Sequence, residues 1–103
     1  MTRLEWTDPA VADLDNIHDY IARDSVEYAQ AVIERLIHAV ERLKSFPESG
    51  RIVPEAATPS VREVVTLGYR IIYRLRKGRA QILAVIHSAR NLADLTPKPW
   101  DAA

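Results

Sequence analysis

The hydrophobic and polar positions of this chain are most informative over residues 61–90, VREVVTLGYRIIYRLRKGRAQILAVIHSAR. Three runs rich in β-branched and aromatic residues are separated by Leu67-Gly68 and Lys77-Gly78, and glycine dipeptides between such runs predict a three-stranded meander. With a two-residue turn at Lys77-Gly78, Arg76 faces Arg79. Tyr73 then opposes Ile82, Ile71 opposes Ala84, and Tyr69 opposes Ile86. Side chains alternate across a strand, so one face carries Tyr69, Ile71, Tyr73, Leu75, Ala80, Ile82, Ala84 and Ile86. The other carries Arg70, Ile72, Arg74, Arg76, Arg79, Gln81, Leu83, Val85 and His87. The first face is apolar and needs a cover. The second mixes arginine with apolar residues, so it is expected to meet water or a partner. A slip of one residue would exchange the two.

The cover is predicted upstream. After a short strand at Thr2 to Trp6, Asp8-Pro9 starts a helix, with Asp as N-cap and Pro at the first helical position. Val11, Leu14, Ile17, His18 and Ile21 keep helical spacing, and Asp13, Asp15 and Asp19 lie off that stripe. Ser25 caps a second helix. There Val26, Ala29, Ile33, Leu36, Ile37, Val40 and Leu43 repeat at three and four residues until Phe46-Pro47, where the residue before proline leaves helical backbone. Two amphipathic helices with almost no linker predict an antiparallel hairpin. Residues 47–60 form a loop with three prolines, and Asn91 to Leu95 has room for one helical turn. The expected fold is therefore α+β, in the order β-α-α-β-β-β: an antiparallel helix hairpin on one face of a mainly antiparallel sheet.

Composition narrows the class. With 103 residues and 48% hydrophobic content, residues 1–103 are expected to form a single domain with a modest core. There is no cysteine, hence no disulfide framework or thiolate metal site. No apolar run reaches the roughly 20 residues of a membrane span, and the N-terminus lacks a signal-peptide core. The expectation is a soluble cytoplasmic protein without cofactor or metal. Net charge is zero, yet residues 1–60 sum to −5 and residues 61–103 to +5. A basic half offers a surface for an acidic partner as well as a docking face for the acidic half.

FPESG at 46–50, VREV at 61–64, GYRIIYRL at 68–75 and IHSAR at 86–90 resemble the RelE/ParE toxins of bacterial type II toxin–antitoxin pairs. The long hairpin and the IHSARNL ending are more similar to ParE than to RelE. The resemblance implies a toxin neutralised by a cognate, ParD-like antitoxin from the same operon. For a ParE-like toxin the implied target is DNA gyrase, with no catalysis and no sequence-specific DNA binding by this chain. A RelE-like, metal-independent endonuclease acting on ribosome-bound mRNA is the alternative.

Cutting RNA requires a basic cluster to stabilise the phosphorane and a group to move protons. Arg62, Arg70 and Arg90 match part of the family's cluster, and His87, placed on the same face as Arg70, is the candidate acid or base. No tyrosine or histidine follows Arg90. Zero net charge also suits docking into ribosomal RNA poorly, and gyrase inhibition is preferred chiefly because the resemblance to ParE implies it. On that reading Arg62, Arg70, Arg74, His87, Arg90 and Trp100 are the candidate antitoxin or target contacts. Tyr69 and Tyr73 are expected in the core. Arg70, in mid-sheet, needs a partner for its charge. The segment after Arg90 has no evident core role.

Overall fold

The computed structural model describes residues 1–101. Strand β1 (Arg3–Trp6) leads into helices α1 (Asp8–Ala22) and α2 (Val26–Glu41), which pass through a 3₁₀ turn into strands β2 (Arg51–Ile52), β3 (Val61–Thr66), β4 (Tyr69–Arg76) and β5 (Arg79–His87). The five strands lie in the order β1-β5-β4-β3-β2. Every pairing is antiparallel except that of β1 with β5. The expected α+β architecture is present, with two-residue β2 as an addition at the edge.

Local chemistry sets the element ends. Thr7, one residue earlier than expected, is the cap of α1. Its hydroxyl accepts from Ala10 N at 3.4 Å and donates to Ile82 O at 2.7 Å, so one side chain starts the helix and ties it to β5. Asp8 instead contributes its charge to the first turn, where the helix dipole favours an anion. Ser25 caps α2 as expected, accepting from Tyr28 N at 3.0 Å. The turn between β3 and β4 places both Leu67 (φ 52°) and Gly68 (φ 81°) in left-handed backbone, the combination a type I′ hairpin needs.

The hairpin register follows the expected one from Arg76↔Arg79 to Tyr73↔Ile82 and then changes. Ile72 pairs with Ala84, leaving Leu83 as an extra residue, so a β-bulge lies in β5. Beyond it the faces differ from the alternation. Ala84 and Ile86, expected against the helices, join the far side, while Val85 turns toward the helices and His87 meets Tyr69, which packs on that side.

The core against the hairpin unites Ile71, Tyr73, Ala80, Ile82 and Val85 with Leu14, Val32, Leu36 and Val40. Ile17, Ile21 and Ile33 pack on it from the helices. Within the expected stripes, Val11, Val26 and Ile37 are exposed, and Ala10 and Val32 are buried in their place.

The far face, expected to meet water or a partner, is covered instead by a second core built from the chain itself. Ile72, Leu83, Ala84 and Ile86 are covered by Val53 from the loop and Leu92 from the tail, flanked by Ala56, Leu95 and Trp100. The tail after Arg90 therefore does have a core role. Asn91 caps the predicted turn by accepting from Ala93 N at 3.1 Å, and that turn seats Leu92, which is 1% exposed. Truncating a fully buried leucine removes apolar burial and leaves a void, so Leu92→Ala should destabilise the domain by about 3 kcal/mol in urea unfolding. A change under about 1 kcal/mol would mean that the tail does not pack on the sheet.

Candidate functional site

The far face of the sheet is where the candidate arginines were expected to project, and there the structure places a closed ion-pair network. Arg70 extends from β4 beside Glu63 of β3, a residue only 1% exposed. Arg70 Nε donates to Glu63 Oε1 at 2.5 Å. Its two terminal nitrogens donate to the two oxygens of Glu55, at 3.1 and 2.9 Å, a fork-on-fork arrangement. Arg51 of β2 completes the set by donating Nε to Glu63 Oε2 at 2.6 Å. Two guanidinium groups thus face two carboxylates. The Arg70 hydrogen bonds hold the Glu55 carboxyl below its ordinary range, and Glu55 and then Glu63 push the Arg70 guanidinium upward.

Each remaining candidate has its own setting. Arg62 is turned onto main-chain carbonyls, donating to Pro59 O, Glu48 O and Gly50 O at 3.0–3.1 Å. In that way it straps the 47–60 loop to β3. Arg74 donates to the carbonyl of Trp100, and burial is the main influence lowering its pKa. Trp100 packs at the rim of the second core. Arg90 is exposed at a groove of about 350 Å³ between the start of α1, β5 and the tail. Asp13 lies in the same groove and accepts from Val85 N at 2.9 Å, and burial raises its carboxyl pKa. His87 is exposed. Its Nδ1 accepts from Ala89 N at 3.1 Å, and its ring meets Tyr69 edge-on, with centroids 5.4 Å apart.

The bulge therefore separates two residues expected together: Arg70 lies on the far face, and His87 keeps company with Tyr69 on the helix side. Arg70, Arg62 and Arg74 each hold a part of the loop or tail. Glu55, Glu63 and Arg51 were not anticipated as partners. The β-pairing of Val65 with Arg70 places Glu63 two residues along β3 on the same face, a signal available once the meander is drawn. Gly50 of the FPESG motif has a steric reason: a Cβ there would sit 2.5 Å from the Tyr73 hydroxyl and 2.7 Å from Glu63 O. That hydroxyl accepts from Gly50 N at 3.0 Å and donates to Pro47 O at 2.7 Å. Among the described residues no three His, Asp or Glu side chains gather to hold a metal, and no helix is long and apolar enough to cross a membrane.

A family model described as the ParE toxin of the type II toxin–antitoxin system parDE matches residues 4–92. The chain belongs to the ParE toxin family. It is 38% identical over 91 residues to Toxin RelE2 of Caulobacter vibrioides, covering 87% of this chain and 99% of that protein. A solved chain from the chromosomal ParDE toxin–antitoxin system of P. aeruginosa superposes with a TM-score of 0.72 at 28% identity, covering 84% of this chain and 96% of that one.

Within this ParE-family fold the network makes two tests available. Removing Arg70 leaves Glu55 without its partner and the buried Glu63 with only the half-exposed Arg51, and breaking a buried pair typically costs 3–5 kcal/mol. Arg70→Ala should therefore unfold at much lower denaturant, by about 3 kcal/mol, whereas Arg90→Ala should be near neutral. The pH dependence has a definite sign. Glu55 has a lowered pKa in the folded chain, so its contribution is complete above the ordinary carboxyl value of about 4.3 and is lost as pH falls through the folded value. A urea-unfolding series across this acid range should show a shallower loss of stability for Glu55→Gln than for the wild type.

Proposed function

We propose that this chain is a ParE-type toxin that acts by binding and inhibiting DNA gyrase, and that a cognate antitoxin neutralises it in the cytoplasm. The observation that carries the reading is the charge balance around Arg70. A ribonuclease of this family would need that guanidinium turned toward a scissile phosphate. Here its fork is filled by Glu55 and its Nε by Glu63. Displacing Glu55 by a phosphate would exchange one anion for another and loosen the loop at the same time.

The histidine supports the same reading. General acid–base work needs the proton carrier within hydrogen-bond reach of the reacting oxygen, and His87 and Arg70 stand on opposite faces of the sheet. Family membership and the likeness to a ParDE toxin–antitoxin system support the antitoxin pairing. A toxin of this kind moves no proton and makes no covalent bond. Its activity is interface energy, concentrated in a few contacts.

Growth arrest in cells expressing folded variants tests the mechanism. A general acid or base typically contributes ~10²–10⁴-fold in rate, so a nuclease dependent on His87 would lose toxicity in His87→Gln. We expect His87→Gln to arrest growth as the wild type does, with cellular transcripts intact. Cut transcripts in wild-type cells, together with a non-toxic His87→Gln, would reverse the assignment in favour of RNA cleavage.

A further inference from the structure

Three arginines stand in one line across the sheet. In the parallel pairing of β1 with β5, Arg3 is opposite Arg79, and in the β4–β5 hairpin Arg79 is opposite Arg76. Partners across a pair share a face, and the chain neighbours Leu4, Leu75 and Ala80 pack on the helix side. The three arginines therefore rise on the far face, at the end of the sheet that the Lys77-Gly78 turn closes. Lys77 adds a fourth cation in that turn.

Like charges directly opposite each other destabilise a sheet, and packing gives this row little return. Arg3, Arg76 and Lys77 are exposed, and Arg79 is partly buried. One carboxylate answers them: Glu5 accepts from Arg79 at 3.1 Å and from Gln81 at 2.7 Å. The Gln81 hydrogen bond, and after it the charges of Arg79 and Arg3, hold the Glu5 carboxyl below its ordinary range. Arg76 Nε donates to the neutral Gln81 side chain at 3.0 Å. Arg3 and Lys77 make no ion pair among the described residues. The charge of Arg76 also reaches Arg74, where it is the next influence after burial that lowers the pKa, and Asp101 of the tail opposes it there. The row itself keeps an excess of positive charge.

We propose that this arginine row is a phosphate-backbone contact, lying along the DNA duplex that gyrase holds when the toxin is docked on the enzyme. The proposal rests on the gyrase reading above and extends it to the enzyme's DNA. Neighbouring strands lie about 4.8 Å apart, so the row spans roughly 10 Å. A DNA strand advances about 3.4 Å per phosphate, so the row meets about three phosphates in succession. Guanidinium forks match phosphate oxygens two at a time, and such contacts carry no sequence information. A protein partner would be anchored by buried aromatic and apolar groups, and the row includes none. Arg62 and Arg70 take no part, because carbonyls and carboxylates of the chain already hold them.

Anisotropy of labelled duplex oligonucleotides with the full-length toxin, together with gyrase supercoiling, tests the proposal. The wild type should bind duplexes of unrelated sequence alike, and its log affinity should fall against log salt with a slope of about −3. Arg3→Ala and Arg76→Ala should each make that slope shallower by about 1, while Arg3→Lys and Arg76→Lys keep it. The double alanine variant should need about 10-fold more toxin to halve supercoiling at moderate salt, with binding to DNA-free gyrase unchanged. Its urea midpoint should not fall, since each change relieves like-charge repulsion. An unchanged salt slope and unchanged inhibition in the double variant would overturn the row as a DNA contact and leave the gyrase reading standing. Duplex binding with the expected slope by a wild type that fails to inhibit supercoiling would overturn the gyrase reading and keep the phosphate contact. Tighter binding of single-stranded RNA of the same length would overturn DNA as the occupant. Loss of antitoxin binding in the double variant, with duplex binding unchanged, would assign the row to the antitoxin instead.

Discussion

The carboxylate of Glu63 is the constraint around which the sheet, the loop and the functional reading are arranged. It is fully buried, and a buried charge is tolerable only when paired and hydrogen-bonded. Arg70 and Arg51 supply that pairing from two different strands. Arg70 in turn has donors left over, and these draw Glu55 and with it the 47–60 loop down onto the sheet. Removing any one member would expose the others to an unmatched charge. A network of this kind is better evidence of a fixed geometry than of net stability, because the desolvation of its two buried ions, Glu63 and Arg70, offsets most of their attraction. What it fixes is the position of the loop over the second core.

That second core changes the character of the far face. Fold-level reasoning places two helices on one side of a sheet and leaves the other side to solvent. Here Val53 and Leu92 bring the loop and the tail across it, so β4 and β5 are buried on both sides near their centres. The Pro-rich loop and the tail are thus structural parts of the domain, pinned by Arg62, Arg70 and Arg74 through carbonyls and carboxylates. Arginines that look like a nucleic-acid surface in the sequence are, in the fold, fasteners for irregular chain.

Most of the architecture was legible because its signals are local. Ser25 capping a helix, glycines at both meander turns and the three-four spacing of α2 each act within a few residues. The bulge was not legible, for a physical reason. Leu83-Ala84-Val85-Ile86 is a continuous apolar run, and where both faces of a strand are buried, hydrophobic alternation carries no register information. The pairing from Arg76 to Tyr73 could be read because Arg74 and Gln81 alternate with Leu75 and Ala80. Past Ile82 that contrast disappears, and His87 was consequently assigned to the wrong face. The site was less legible still. The need of Arg70 for a partner followed from its position, but that the partners belong to its own chain depends on where a loop with no periodicity comes to rest.

Whether the arginine face acts on RNA phosphates or only holds the fold decides between mRNA and gyrase as the target. The most direct measurement sets the purified toxin against purified DNA gyrase and against ribosomes programmed with mRNA, over one concentration range. Loss of supercoiling by gyrase, with the mRNA intact at every concentration, is the result predicted from the neutralised Arg70. Cleavage of the ribosome-bound mRNA at concentrations that leave gyrase supercoiling unaffected would contradict it.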